Sequence, residues 1–482
     1  MAMVMACGLA VGLTAGVGLA SVGFDEVAKL IPTTTATGGR FGTSVDIAGD
    51  VMIVGAPYQE VDGTYPIGPG YAQVGVFSDW DGSIAETIEL SASDGQTGDY
   101  FGWRVAIGNI TGATEEGGVA YVSSFNRADG EVPSAGAVYL FTSGEGDAIT
   151  ETAILTASGE AAGRGFGTSL SFDGSSLAVG AIYDSAHGVL NGAAYVLTLG
   201  LDGQPTHEER IECDDPTDQQ YFGWDISIDG DRLAVSAAVD SIDQYLGGAV
   251  YIFDRQSDES WTQTAVVTPA GLSSSDWFGT SVVVHEDLLI VGAINYDEGE
   301  GDDLVQNVGM VYVFEWDGMA YQEVQQIPSP LVEPGIFWGT SLDFDGNNLL
   351  IGCNYWRNDG TFGTGAAAAY EYGPDDLFIG GRVFIGSDVS GLGHFGSAVA
   401  FDGERVVIGA IETSDGTGGA VYVFTPGCSG DTNYNGQIDS EDVLDLVTSW
   451  GDTGITKQDV QQDFEVGIHD LLTVLQYYGS CE

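Results

Sequence analysis

The chain has 482 residues, and its 12 Lys and Arg face 71 Asp and Glu, a formal net charge of −59. A surface this acidic repels phosphate backbones and anionic lipid, which excludes nucleic acid and membrane surfaces as partners. It suits solubility in salty water, and only a minority of the carboxylates can serve cations.

Residues 1–22 are apolar and small, with no charge before Asp25. Gly18-Leu19-Ala20 puts small residues where a signal peptidase reads, so a cleaved signal peptide over 1–22 is expected. Export follows from it, to the extracellular space or the cell surface. The run is glycine-rich and barely long enough for a membrane helix, so no span is expected in the mature chain. Glu26 to Pro32 then has the pattern of an outer strand.

The stretch Phe41 to Pro57, FGTSVDIAGDVMIVGAP, reads as two short strands joined by a turn at Ala48-Gly49-Asp50. It recurs along the chain. Phe-Gly pairs stand at Phe41, Phe101, Phe166, Phe222, Phe278 and Phe395, with Trp338-Gly339 in the same place once, at steps of 56 to 65 residues. Echoes of the second run follow, as in Val179-Gly180-Ala181 and Ile408-Gly409-Ala410. A third element reads GAVYLF from Gly136 and returns from Gly192, Gly248, Gly309 and Gly419. A weaker fourth includes Thr87 to Leu90 and Arg382 to Ile385. One four-strand unit cannot bury both faces alone, whereas seven stacked around an axis can. The predicted class is all-β, a seven-bladed β-propeller of four-stranded blades. The seventh unit ends at Phe424-Thr425-Pro426 with no fourth strand, and Glu26 to Ile31 is expected to supply it.

Within the units, Asp173-Gly174, Asp229-Gly230, Asp345-Gly346 and Asp402-Gly403 have the composition of two-residue hairpins. The connections from second to third strand are long, and they should emerge on one face beside the Phe-Gly loops, where binding usually lives. They carry Tyr58, Tyr65, Phe125, Tyr183, Tyr245, Tyr296, Tyr355 and Trp356 beside Asp184, Asp240, Asp297 and Asp359. Aromatics near carboxylates suit a sugar or a protein ligand, and equally suit loop packing. Two units place Trp103-Arg104 and Trp224-Asp225 after Phe-Gly instead of small residues, which marks either a polar site at the channel mouth or filler between unequal blades.

These landmarks resemble FG-GAP repeats, the units of the integrin alpha-chain head and of many bacterial secreted proteins. The resemblance covers 24–426 and implies a binding or adhesion scaffold. It does not bring the integrin calcium loops with it, because the turns between first and second strands have no room for an Asp-x-Asp-x-Asp-Gly sequence.

The composition changes at 427–482. Counting Asp431 as position 1 puts Asn433 at 3, Asn435 at 5, Gln437 at 7 with its backbone carbonyl, Asp439 at 9 and Asp442 at 12, with Gly436 at the sharp turn. That is the oxygen-ligand spacing of an EF-hand calcium loop. A helix from Ser440 to Trp450 should follow, with Val443, Leu444, Val447 and Trp450 at helical spacing. A degraded second loop spans Asp459 to Asp470, with Phe464 in place of the glycine. Two calcium loops each followed by one helix resemble a dockerin, of the kind found in secreted planctomycete proteins. The resemblance implies a small all-α calcium-binding domain and a cohesin-like partner. Cys428 and Cys481 bracket this segment as a candidate disulfide. Cys353 takes the alanine place of a Gly-Ala landmark and should be a small core residue, and Cys213 has no evident mate.

His187, His207, His285, His394 and His469 show no zinc or triad spacing, and no phosphate loop is present. The reading is a secreted binding protein whose propeller loops take a protein or glycan ligand and whose calcium-dependent tail docks it. The alternative is a carbohydrate-active enzyme or lectin of polysaccharide breakdown carried by the same tail.

Overall fold

The computed structural model describes residues 23–427, 440–448 and 471, except the segments 33–38, 59, 62–63, 79–82, 110–117, 131, 144–147, 159–163, 186–188, 243–244, 300–303, 331, 358–362, 374–375, 390 and 413–417. Seven four-stranded antiparallel sheets follow one another along the chain, as the repeat period predicts. In blade 1 the strands are Ser44–Ala48, Val51–Ala56, Tyr71–Phe77 and Ile84–Leu90, from the channel outward. Second and third strands are rich in Val, Ile and Ala; second strands are buried over nearly their whole length, as in Leu288–Ala293, and third strands over their first five residues, as in Ala249–Arg255. Outer strands alternate, as Ile149–Leu155 does, because only one of their faces meets a neighbour.

The hydrophobic core is divided into seven clusters, each shared by two adjacent blades. Leu177, Val179 and Tyr195 of blade 3 pack with Tyr121, Val138 and Leu140 of blade 2 in one of them. The last cluster joins blade 7 to blade 1 through Val407, Val421, Phe41 and Met52.

The repeated residues form the joints between blades. Every Phe or Trp of a Phe-Gly landmark is buried, and its backbone N–H donates to the preceding blade. Examples are Phe101 to the carbonyl of Pro69 at 2.8 Å and Phe278 to that of Gly247 at 2.8 Å. The ring packs on the third-strand tyrosine of its own blade, with Phe166 and Tyr195 centroids 5.4 Å apart and Phe222 and Tyr251 also 5.4 Å apart. The glycine that opens each third strand lies against this landmark. At Gly248, φ is +93°, and a Cβ would meet the Phe278 carbonyl oxygen at 2.0 Å. Four of the tyrosine hydroxyls are anchored in turn by aspartates: Tyr139 donates to Asp94 at 2.6 Å, Tyr195 to Asp184 at 3.0 Å, Tyr251 to Asp240 at 2.6 Å and Tyr422 to Asp388 at 2.7 Å.

The ring closes as the missing fourth strand requires. Gly23–Leu30 pairs antiparallel with Ala420–Gly427, from Gly23 opposite Gly427 to Leu30 opposite Val421. Lys29 adds an ion pair to Asp388 at 2.7 Å.

Three details differ from the sequence expectations. The connection after blade 1's second strand holds a small hairpin of its own, Glu60–Val61 with Thr64–Ile67. Only Asp229-Gly230 borders a two-residue turn, between Asp229 and Arg232. Asp173, Asp345 and Asp402 instead start wider turns, in which the aspartate carboxylate accepts N–H groups two and three residues on; Asp402 does so from Glu404 and Arg405 at 2.9 and 2.7 Å. In the tail, a helix forms over Ser440–Thr448. Among its described side chains Leu446 is fully buried and Val443 half-buried, while Leu444 and Val447, two of the residues at helical spacing, are exposed. Cys353 is buried as expected, and the buried Cys213 sits 3.2 Å from the Gln220 side-chain oxygen.

Candidate functional site at the Phe-Gly face

Inner strands run away from the Phe-Gly loops, so residues just after each landmark line one mouth of the central channel. Its cavity is about 480 Å³, and its ionisable lining residues are Asp46, Arg104, Asp173, Asp225, Asp229, His285 and Asp343. All five of these carboxylates are joints that accept a backbone N–H of the next blade; Asp173 takes that of Gly230 at 3.2 Å, Asp225 that of Val282 at 2.9 Å and Asp229 that of Glu286 at 2.7 Å. Inner strands of neighbouring blades do not pair, and their facing N–H groups need acceptors. Asp46 accepts from Ile107 of the next blade at 2.7 Å, and Asp343 from Phe401 at 2.6 Å. Ser171 and Ser227 do the same for Ile228 and Val284, both at 3.0 Å. Burial raises Asp46 to about 6 against the N–H bonds of Ile107 and Ile47. Burial, then the charge of Asp46, raises Asp343 to about 7.

Arg104 and Asp225 also trace to a coupled departure from the repeat. In most blades a serine stands third after the landmark phenylalanine or tryptophan, and its hydroxyl donates to the landmark glycine of the next blade, as Ser281 does to Gly339 at 2.7 Å. The serine leaves no room for a side chain on the second strand: a Cβ at Gly292 would meet Ser281 Oγ at 2.5 Å. In blades 2 and 4, Arg104 and Asp225 replace that serine, and Ser123 and Ser236 replace the glycine. Their hydroxyls accept the Arg104 and Asp225 N–H groups at 2.9 Å each. One residue earlier, Thr280 and Thr340 close the loop by donating to the carbonyls of Trp277 and Phe337 at 2.7 and 2.6 Å. Trp103 and Trp224 give up that bond. Trp103 instead donates from Nε1 to the Thr168 carbonyl of blade 3 at 3.0 Å.

Arg104 lies over the Trp103 ring, 5.5 Å from its centroid, and donates to the Trp103 carbonyl at 3.2 Å; among the described residues it makes no carboxylate ion pair. Burial lowers its pKa, and the charge of Asp225 opposes that. Burial raises Asp225 to about 6, against the pull of Arg104 and the N–H groups of Val282 and Ile226.

Around this mouth stands a collar that the sequence reading did not single out. The residue before each landmark is in the left-handed region: Arg40, Tyr100, Tyr221, Trp277, Phe337 and His394 at φ between 50° and 60°, and Gly165 at 78°. The aromatic ones pack on neighbouring rings, Tyr100 stacked on Phe125 at 5.4 Å, Phe337 edge-on to Tyr355 at 5.3 Å, and Trp277 edge-on to Trp224 at 6.2 Å. At Gly165 the collar residue is missing because Tyr183 fills the place; a Cβ there would meet its ring at 2.9 Å. The signal was in the sequence, one position ahead of each landmark. Further out the same face exposes Val189, Ile242, Tyr245, Leu304, Val332 and Leu392.

Of the loop residues expected to bind, Tyr58, Phe125, Tyr183, Tyr296 and Tyr355 are half-buried on this face and Tyr245 is exposed. Trp356 is buried. Asp184 and Asp240 are internal: Asp184 takes the Tyr195 hydroxyl and an Arg210 ion pair at 2.9 Å. Asp297 accepts the Asn307 N–H at 2.8 Å. Asp359 and the Tyr65 side chain lie outside the described residues. So do the calcium-loop residues Asp431, Asn433, Asn435, Gln437 and Asp439, and the side chain of Asp442, whose backbone is in the helix.

No curated protein matches the chain. A structure from Bacteroides fragilis NCTC 9343, provisionally assigned as a 6-phosphogluconolactonase, is similar at a TM-score of 0.46 and 9% identity, over 71% of this chain and 84% of that one. The FG-GAP repeat family matches 24–68, 85–141, 149–197, 205–253, 261–314 and 383–424, passing over most of the blade in which Trp338 replaces phenylalanine. With more than half of its length matched and seven four-stranded blades in a closed ring, the chain belongs to the FG-GAP repeat family.

Proposed function

We propose that this is an exported binding scaffold that takes a protein or glycan ligand on its Phe-Gly face and is docked through its tail. The observation that carries this is the concentration on one face of the aromatic collar and the exposed apolar side chains, on a frame made rigid by joints at every blade. Exposed apolar groups clustered on one face mark interaction surfaces. The strand leading to the tail ends at Gly427, at the end of blade 7 away from that face. The tail reading rests on the oxygen spacing from Asp431 to Asp442 and on the helix starting at Ser440, where a calcium loop would end. There Asp431, Asn433, Asn435, the Gln437 carbonyl, Asp439 and Asp442 would hold calcium, and a cohesin-like module would be the docking partner.

The test is surface binding of the full chain to purified extracellular polysaccharides and secreted proteins. Tyr245→Lys with Ile242→Lys should weaken capture of the ligand, while Met319→Lys on the opposite face should not. Equal capture by both variants would refute the face assignment.

A further inference from the structure

The geometry points to a neutral saccharide as the ligand of the channel mouth, held between Trp103-Arg104 and Trp224-Asp225. This rests on the Phe-Gly face being the binding face and names the chemistry taken there. The two pairs flank blade 3, the blade whose collar place is a glycine. Each gives up the repeat's own loop-closing hydroxyl and its inter-blade serine, and Asp225 keeps a different inter-blade bond by accepting the Val282 N–H at 2.9 Å. Departures of that kind are expected where a protein gives up local order for function.

The chemistry of the mouth selects the ligand. Trp103 and Trp224 stand half-buried beside the channel lining, Trp103 under Arg104 and against Phe125, Trp224 against Trp277, and the part of each indole left exposed suits the C–H face of a pyranose ring. Arg104 only donates hydrogen bonds and Asp225 as a carboxylate only accepts them. Sugar hydroxyls do both, so one polyol satisfies both groups. An anion would meet the carboxylates deeper in the channel, and a cation would meet Arg104 at the mouth. The channel that Arg104 and Asp225 line has a volume of about 480 Å³ along its whole length, within the range of small-ligand sites, roughly 300–1,000 Å³.

The test uses the full chain, with tryptophan fluorescence and calorimetry against cellohexaose, laminarihexaose, xylohexaose and mannohexaose. A chitosan hexamer and a hexagalacturonide are the cationic and anionic contrasts. Trp103→Ala and Trp224→Ala should each weaken binding of a neutral hexasaccharide at least tenfold. A second variant restores the repeat: Trp103→Thr, Arg104→Ser and Ser123→Gly together. It gives blade 2 the form that blades 1, 3, 5 and 6 use, so loss of binding with an unchanged circular dichroism spectrum places the ligand at this mouth. Three results overturn the inference: no neutral oligosaccharide bound, tighter binding of either charged oligomer, or undiminished binding by the restored variant. If the chain captures a secreted protein through Tyr245 and Ile242 but no sugar, the scaffold reading stands and the saccharide inference falls. If it captures neither, both fall.

Discussion

Replacing Asp343 by serine should make the propeller more stable in mild alkali and less stable in acid. Asp343 holds the inner strand of blade 7 by accepting the Phe401 N–H, and its second oxygen accepts the N–H of Phe344 at 3.0 Å. Ser171 and Ser227 show that a hydroxyl makes the same joint in other blades. The carboxyl rises from its ordinary value of 3.8 to about 7 on folding. A raised value means that folding favours the protonated form. This contribution is therefore fully present below pH 3.8 and is lost as pH rises through about 7. Three units at about 1.4 kcal/mol each give about 4 kcal/mol of ionisation cost at pH 8. Water in the channel lowers that figure, and losing the second acceptor costs about 1 kcal/mol. Asp343→Ser should thus gain up to about 3 kcal/mol at pH 8 and lose about 1 kcal/mol at pH 3.5. Urea unfolding followed by tryptophan fluorescence at both pH values, at one ionic strength, measures the difference. Comparing variant with wild type cancels the repulsion from the chain's net charge. Equal destabilisation at both pH values would refute the reasoning.

Other expectations follow from the joints. Gly292→Ala puts a Cβ 2.3 Å from the Gly339 carbonyl of the next blade and should cost several times as much as Gly230→Ala, which has φ of +57° and meets nothing within 4 Å. The latter should cost about 1–2 kcal/mol, from backbone conformation alone, in the same urea assay. Tyr251→Phe removes a hydroxyl bonded to Asp240 and Gln220 at 2.6 and 2.7 Å, and should lower stability by about 1–3 kcal/mol. Deleting Gly23–Leu30 should strip hydrogen-exchange protection from Ala420–Gly427 and leave Val51–Ala56 protected; equal loss at both would contradict a local closure. Calorimetry of the full chain should show a tight calcium site that Asp431→Ala removes, and an unchanged isotherm would exclude the first tail loop.

The blade count and the closing strand were legible because seven copies repeat one set of constraints. Phenylalanine, glycine and tyrosine recur since each is fixed by contact with an adjacent copy. The candidate site was less legible for the opposite reason. Collar residues share a backbone conformation but not a side chain: Arg40, Tyr100, Gly165 and His394 have nothing in common as letters. Trp103-Arg104 and Trp224-Asp225 stood out as exceptions, yet only the structure couples them to Ser123 and Ser236 on another strand. Loop carboxylates such as Asp184 and Asp240 looked like binding groups because sequence shows their charge and hides the tyrosine hydroxyls that hold them inside.

The pairing of Gly23 with Gly427 has a mechanical meaning. The two strands that lock the ring end side by side, so a pull applied between the Gly23 end of one and the Gly427 end of the other would open them from one end. Their hydrogen bonds would then break in succession, starting with Gly23–Gly427 and running to Leu30–Val421, instead of sharing the load in shear. Tension between a ligand on the Phe-Gly face and the tail takes another route, through Ala420–Gly427 and its neighbour Val406–Ala410 along the strand axis. The ring is therefore weak to a tug between its own two ends and strong along the line on which a docked, ligand-bearing scaffold would be loaded.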